Sequence, residues 1–471
     1  MKNILAFILC LFTSLALAQT QLKFVEPVKQ RVFVLTDITN EPDDQQSMVR
    51  FLVYSNEYDV EGIVATTSTH LRSQVRQDKI EDLIRDYGKV KPNLDIHASG
   101  FPSMENLLSV TTQHLPLFSM EGVGAGKDSP GSELLIKAVD KTDDRPLWVS
   151  VWGGANCLAQ ALWKVKNTRS EEGLKKFVDK IRVYTISDQD FAEPWIRHNF
   201  PGIFYIVDAS AGDNWKEYYK ATWTGISGDR WYKNGPLYQF ELVDNPWLKA
   251  NIQENHGPLG ANYLPLAYIM EGDTPSFIGL IQNGLAWDQS PAWGGWAGRY
   301  ELWKSYGEVD KIWTSSIHSQ DEVTLPDGRV DASNQATIWR FRDAFQYDFA
   351  ARMDWNVADT YQKANHNPIV VLNGNEGKGW ASAQVKEGEE VVLSAKGSDD
   401  PDGDQTQVKW WVYREAGNFT GNLVLFNPYG EEIKFQMPKL DTGQTLHLIL
   451  EVRDSGIPAL TSYRRVVLTN F

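Results

Sequence analysis

Cysteine is nearly absent from this sequence, with only Cys10 and Cys157 among 471 residues. Cys10 falls inside an N-terminal apolar run, so the rest of the chain carries one thiol and can form no internal disulfide. Stability must come from core size, with metal as the other available source. Long apolar runs are also missing: beyond residue 18 no stretch approaches 18 apolar residues, which excludes a membrane-spanning helix. Basic charge is short as well, with 46 Lys and Arg against 61 Asp and Glu and a formal net charge of −15. That balance argues against nucleic acid or an anionic membrane surface as partner. There is no internal repeat and no low-complexity segment.

What is present begins with an export signal. Lys2 supplies a positive start, residues 4–17 are mostly apolar, and Ala16-Leu17-Ala18 is a small-x-small cleavage site before Gln19. A signal peptide over residues 1–18 predicts a secreted or periplasmic protein. The remaining chain is long enough for two domains and a large core. Its acidity is compatible with divalent cations and neutral sugars. The 18 Trp and 18 Tyr residues include rings able to stack on sugars, although most belong in a core.

Residues 31–37 form a short apolar run ending on an acid, the pattern of a buried parallel strand. Residues 45–54 place Met48, Phe51, Leu52 and Tyr54 at helical spacing. Residues 60–66 are a second strand, and 76–87 carry Ile80, Leu83 and Ile84 on one helix face. Residues 146–152 and 180–186 are further strands, the first followed by a helix over 158–165. This alternation predicts an α/β domain over residues 22–360 with a mainly parallel sheet, whose sites gather at the carboxyl ends of the strands. Residues 333–355 close that domain with a helix showing Ile338, Phe341, Phe345, Phe349 and Met353 on one face. After a linker at Asn365-His366-Asn367-Pro368, short alternating strands at 389–395, 408–413, 446–452 and 463–468 predict a small all-β, immunoglobulin-like sandwich over 367–471.

The most informative stretch is Asp37-Ile38-Thr39-Asn40-Glu41-Pro42-Asp43-Asp44, directly after the first strand. Its four carboxylates repel one another unless a cation sits among them. Ca²⁺, which takes six to eight oxygen ligands, suits such a set better than a metal seeking nitrogen or sulfur. The plainer alternative is a solvated loop capping the next helix with Asp43 or Asp44. Two later segments favour the cation. Trp152-Gly153-Gly154-Ala155-Asn156 follows a strand, and its glycines let backbone approach a ligand. Glu271-Gly272-Asp273-Thr274-Pro275-Ser276 sets another acid beside a flexible turn.

Taken in order, these segments resemble the nucleoside hydrolases, whose first strand ends in a D-x-D-x-x-x-D-D loop and whose metal shell is closed by a late Asp. The chain is more similar still to a secreted branch of nucleoside-hydrolase-like proteins called cellulose-binding, which add a C-terminal sandwich. Thr36-Asp37 through Ser47, His256-Gly257-Pro258-Leu259-Gly260, residues 271–276 and Trp293-Gly294-Gly295-Trp296-Ala297-Gly298-Arg299-Tyr300 carry that likeness. The resemblance implies a Ca²⁺ shell of Asp37, Asp44, Asp273 and the Trp152 carbonyl, with Asp43 holding sugar hydroxyls. It also implies a catalytic base. Aligned without a gap from Asp43-Asp44, Asp37 takes the first Asp of the pattern and Thr39 the second, which is the base. Aligned from the start of the strand, Asp37 takes the base position and the loop is two residues longer; the strand's length favours this alignment.

On this reading the family's chemistry is attack of an activated water on the anomeric carbon, with carboxylates stabilising its developing positive charge. Some relatives carry a His just before the late Asp, where this chain has Gly272; His256 and His198 are the candidate replacements. Asp188, Asp190 and Trp195, after a later strand, are candidates for substrate contact, as Glu193 and Arg197 are for the pocket lining. Trp293 and Trp296 suggest an aromatic wall for a sugar face. In the sandwich, Asp399-Asp400-Pro401-Asp402-Gly403-Asp404 before Trp410-Trp411 resembles polycystic-kidney-disease and cadherin-like domains. Two functions follow: a calcium-dependent hydrolase of N- or O-glycosidic bonds in plant or algal carbohydrate or a nucleoside-like substrate, or a non-catalytic polysaccharide-binding protein on the same scaffold. Because the superfamily often forms dimers or tetramers, a homo-oligomer is part of the expectation.

Overall fold

The computed structural model describes residues 19–39, 41–208 and 215–470. The expected signal segment, with Cys10, lies outside the described residues, as does Asn40 of the acidic loop. The larger domain is built on an eight-stranded sheet. Its order is Thr111–Gln113, Tyr58–Ala65, Gln30–Thr36, Leu147–Val151, Ile181–Thr185, Phe204–Ile206, Ile312–Thr314 and Glu301–Trp303. All neighbours run parallel except the last pair, where Glu301–Trp303 is antiparallel to Ile312–Thr314. The mainly parallel α/β sheet expected from the sequence is therefore present.

Alternation along Gln30–Thr36 explains why every residue of this strand is buried. Val32 and Val34 point into one apolar cluster with Met48, Phe51, Leu83, Phe345 and Phe349. Phe33 and Leu35 point into a second with Leu135, Leu158, Leu162 and Ile196. Helices thus cover both faces, as a parallel sheet requires. Successive strands add to opposite sides of Gln30–Thr36, with Tyr58–Ala65 on one flank and Leu147–Val151 on the other. The strand order reverses here, and the crevice beyond the carboxyl ends of these strands is where such folds bind ligands. The expected helix over 333–355 is broken. Val330–Ser333 is a strand, followed by helices Ala336–Trp339 and Arg342–Trp355, with the anticipated apolar face fully buried. Among the described residues no helix is long and apolar enough to cross a membrane.

The C-terminal part is a sandwich. One sheet has the order Lys23–Val25, Trp380–Gln384, Thr461–Thr469, Leu446–Arg453, Gln407–Val412; the other pairs Glu390–Ser394 with Glu432–Gln436. Their inner faces meet in a core that includes Ala381, Val391, Leu393, Trp410, Phe435, Leu448 and Val466. Lys23–Val25, assigned from sequence to the first domain, instead forms the edge of this sheet, Lys23 opposite Ser382.

Buried polar contacts join the two parts. Asp321 is fully buried, accepts Arg299 Nε at 2.8 Å and receives the Tyr413 hydroxyl of the sandwich at 2.6 Å. Arg465, also fully buried, donates from Nε to the Leu285 carbonyl at 2.7 Å and from Nη2 to the Gly294 carbonyl at 3.0 Å. A Cβ on Gly294 would lie 2.1 Å from the Tyr413 hydroxyl, so the Gly-rich loop lets the domains approach. Replacing Asp321 by Ala leaves Arg299 buried without its acid and should cost about 3–5 kcal/mol. Urea unfolding of the full chain measures this; a loss within about 0.5 kcal/mol, the usual range for a surface change, contradicts it.

Candidate functional site

The crevice is framed by chain segments that leave the sheet at its point of reversal. Thr36 ends the first strand, and its hydroxyl donates to Asp44 Oδ1 while accepting the Ile38 amide at 3.1 Å. The helix Pro42–Val53 begins at once, with Asp43 and Asp44 in its first turn. Pro42 suits that start because its missing N–H has no helical partner to lose. The positive end of the helix dipole favours acids there. Thr39, a β-branched residue, is held at φ 91°, a strained conformation of the kind that collects at ligand sites.

The opposite wall is tied to the same helix. Glu271 forms an ion pair with Arg50 and accepts the Tyr263 hydroxyl at 2.6 Å and the Thr274 hydroxyl at 2.9 Å. Its amide donates to Gln46 Oε1 at 2.9 Å. This network brings Asp273 to the helix start. Asp43, Asp44 and Asp273 each present a carboxylate oxygen within 4.8 Å of the others.

Asp43 Oδ1 and Asp273 Oδ2 are buried with no hydrogen-bond partner among the described residues. A bare buried acceptor costs about 1–3 kcal/mol and more if charged, so the cluster calls for a cation or for protons. Burial pushes the Asp43 carboxyl up to about 8, and the charges of Glu41 and Asp37 add to the effect. Asp44 and Asp273 stand well above the usual carboxylate range, again from burial first and then from neighbouring acids. An all-oxygen set with free lone pairs fits a hard divalent cation.

Asp37 lies beside this cluster. Burial raises its carboxyl, while a hydrogen bond from the Ser68 hydroxyl and the exposed His70 pull it back. The glycines have steric reasons. A Cβ on Gly153 would sit 2.3 Å from Asp37 Oδ1, one on Gly154 2.5 Å from Asp190 Oδ2, and one on Gly272 2.7 Å from Asp43 Oδ2. The Trp152 carbonyl accepts Gln189 Nε2 at 2.7 Å, which leaves its second lone pair for another partner.

Other expected contacts need correction. Asp188 gives both oxygens to Arg197, each at 2.7 Å, and Arg197 also pairs with Glu308. Trp195 packs its ring edge on Phe200, 5.7 Å between centroids, within the outer helical layer. Trp296 is 2 % exposed, with its ring in the core against Phe345; the Gly-rich loop that suggested a sugar wall serves the domain joint. Asp190 Oδ1 accepts the Ala192 amide at 2.5 Å, and its Oδ2 is buried without a partner. His256 pairs with Asp354 at 3.0 Å, and His198 is exposed on the helix Ala192–Asn199. Sequence reading missed Ser68 and His70. It also missed an aromatic trio, Tyr218, Trp223 and Tyr232, whose rings meet edge-to-face at 5.4–6.3 Å. Trp223 lies next to Gly272, and Tyr232 feels the charges of Asp43 and Glu41. Only Ser68 had a signal, since it follows the end of the second parallel strand.

The family profile described as "Cellulose-binding Sde182, nucleoside hydrolase-like domain" matches residues 31–300. The chain belongs to this cellulose-binding, nucleoside hydrolase-like family. A second profile, the C-terminal domain of cellulose-binding protein Sde0182, matches residues 390–470. Among solved structures, a nucleoside hydrolase-related protein from Saccharophagus degradans, associated with carbohydrate metabolism, is 35% identical with a TM-score of 0.80. The alignment covers 94% of this chain and 100% of that one. The type III effector XopQ, solved with adenosine diphosphate ribose, is 10% identical with a TM-score of 0.33, covering 70% of this chain and 96% of its own. That likeness is too loose to bear on the site. A search of curated proteins gave no match.

Because burial and mutual repulsion favour the protonated form of the clustered carboxyls, cation uptake near pH 6 should release protons, and the share contributed by Asp43 should fade above about 8. Stability of the chelated protein follows the same groups. Their folded pKa is raised, so their contribution is present below the ordinary value of 3.8 and is lost as pH rises, that of Asp43 as pH passes through about 8. Calorimetry in two buffers of different ionisation enthalpy reads the protons. Uptake without release would show a cluster already ionised.

Proposed function

We propose that this chain is an exported, Ca²⁺-dependent hydrolase of glycosidic or N-glycosidic bonds that acts on plant or algal carbohydrate. The observation that carries the reading is the buried trio Asp43, Asp44 and Asp273, with two oxygens that no donor among the described residues reaches. Its family supports the carbohydrate class. Oxygen-only donors favour calcium over metals that prefer nitrogen or sulfur. The N-terminal signal pattern supports export to the periplasm or beyond, and the superfamily's habit supports a homo-oligomer.

When bound, Ca²⁺ supplies the positive charge that acidifies water and holds neighbouring sugar hydroxyls. The chain's own residues do the rest. Asp44, Asp273, the Trp152 carbonyl and Asp37 would hold the ion. Asp43 Oδ1 takes a sugar hydroxyl. Asp37, oriented by Ser68, receives a proton from the attacking water. The ring of carboxylates then offsets the positive charge that builds at the anomeric carbon. Trp223 and Tyr232 wall the pocket beside Gly272 and keep bulk water from it.

One observation favours a second reading, a non-catalytic polysaccharide-binding protein. No histidine stands before Asp273, His256 and His198 are engaged or distant, and the free oxygen of Asp190 is buried. Departure of a poor leaving group would then receive no proton from these four positions. The two readings separate on Asp37→Asn. For a hydrolase, this change should lower kcat about 10²–10⁴-fold with little change in KM, while polysaccharide retention persists. Reducing-sugar and nucleobase release from a glycan and nucleoside panel, with Ca²⁺ present, reads the outcome. A folded, calcium-loaded wild type that retains glycan but releases nothing establishes the second reading.

A further inference from the structure

Away from the acidic crevice, a cleft of about 570 Å³ opens where the Gly-rich loop meets the outer face of the sandwich's larger sheet. The strand Trp380–Gln384 supplies its floor. Alternation sends Ala381 into the sandwich core, and Trp380, Ser382 and Gln384 to the other face. Register then sets the neighbours: Lys23 lies opposite Ser382 on one side, and Thr469 opposite Gln384 on the other. Trp293, from the Gly-rich loop of the α/β domain, closes one end. Its ring meets Trp380 edge-to-face with centroids 5.0 Å apart, and it is braced by His447 at 5.2 Å and by the buried Arg465. Both tryptophans are only half-buried.

The chemistry of this lining is selective. In a chain of formal charge −15, the cleft has no carboxylate, and its single charge is Lys23. It therefore attracts neither metal ions nor basic segments. The hydroxyls of Ser382 and Thr469 and the amide of Gln384 each both donate and accept hydrogen bonds. They stand beside partly exposed aromatic surface whose rigid setting costs little entropy on binding. Rows of paired donors and acceptors next to aromatic rings match a neutral, polyhydroxylated molecule with an apolar C–H face. The floor runs about 14 Å from Trp380 to Gln384 at the usual ~3.4 Å rise per residue, so an extended chain fits better than a single small molecule.

We infer that this cleft is a second carbohydrate-binding site, taking a neutral β-linked hexopyranose chain on Trp380 and Trp293 independently of the acidic crevice. It shares no residue with that crevice, so either site can fail alone. Both domains contribute, and the site exists only while they stay docked.

The test uses the full chain in EDTA and cellohexaose, followed by tryptophan fluorescence and calorimetry. Trp380→Ala should weaken binding about tenfold or more, and Gln384→Ala, at an exposed position that leaves the fold untouched, about threefold. Asp44→Ala in the acidic crevice should leave affinity unchanged. Circular dichroism confirms that each variant is folded. The inference is overturned if the wild type binds no cellohexaose, or if Asp44→Ala abolishes binding while Trp380→Ala and Gln384→Ala do not. It also falls if these two variants alter only the sedimentation coefficient, because the strip is then a contact between copies of the chain.

Discussion

Mutual repulsion among buried carboxylates is the constraint around which the α/β domain is arranged. Asp37, Asp43, Asp44 and Asp273 are each less than a tenth exposed, and each raises the energy of ionising the next. A fold holds such a set only if their positions are imposed by stronger contacts than the repulsion that would separate them. The imposing contact here is the ion pair of Arg50 with Glu271, both fully buried and joined by Tyr263, Thr274 and Gln46. It fixes the late turn to the first helix. The Arg50 guanidinium also lies 3.9 Å over the Phe349 ring, linking the crevice to the last helix of the domain. The clamp leaves Asp273 no route away from Asp43 and Asp44. Relief must come from a cation or from protons.

Much of this was legible in the sequence, for a definite reason. Buried parallel strands read as unbroken apolar runs, and their carboxyl ends mark the crevice, so Asp37, Trp152 and the residues near 188 could be placed on one face before any geometry was known. The clustering of Asp43, Asp44 and Asp273 followed from the family pattern and not from spacing, because 229 positions separate Asp44 from Asp273. Arg50 and Glu271 lie 221 residues apart and leave no periodic trace. The Tyr218–Trp223–Tyr232 trio belongs to a stretch of short helical turns with no regular pattern to read. Trp296 misled because glycines around an aromatic suggest an open loop. Here they serve close approach: Gly294 meets Tyr413 of the sandwich, and Gly298 accepts Trp287 Nε1 through its carbonyl at 2.8 Å.

The two domains are less separable than their sequence signatures imply. The chain begins its described course as an edge strand of the sandwich, crosses to build the α/β sheet, and returns. Among the described residues Arg465 has no carboxylate partner; two carbonyls and His447 hold it, and burial pushes its guanidinium down to about 10. The same guanidinium lies over the Trp293 ring, which also meets Trp380 and His447 of the sandwich.

The acidic crevice itself limits what chemistry it can perform. A histidine before Asp273 would assist the leaving group, yet the position is occupied by Gly272 for a steric reason. Any Cβ there would meet Asp43 Oδ2 at 2.7 Å and Ile269 Cδ1 at 2.7 Å, with Trp223 at 3.4 Å behind them. Asp43 is fixed by the helix start, and Trp223 by its two tyrosine neighbours, so no side chain can enter without displacing a proposed ligand of the sugar. The glycine at 272 thus goes with how closely Asp43 and Ile269 approach that position. A hydrolase built this way works on bonds whose leaving group departs without a proton from residue 272, or receives one from the substrate's own hydroxyls.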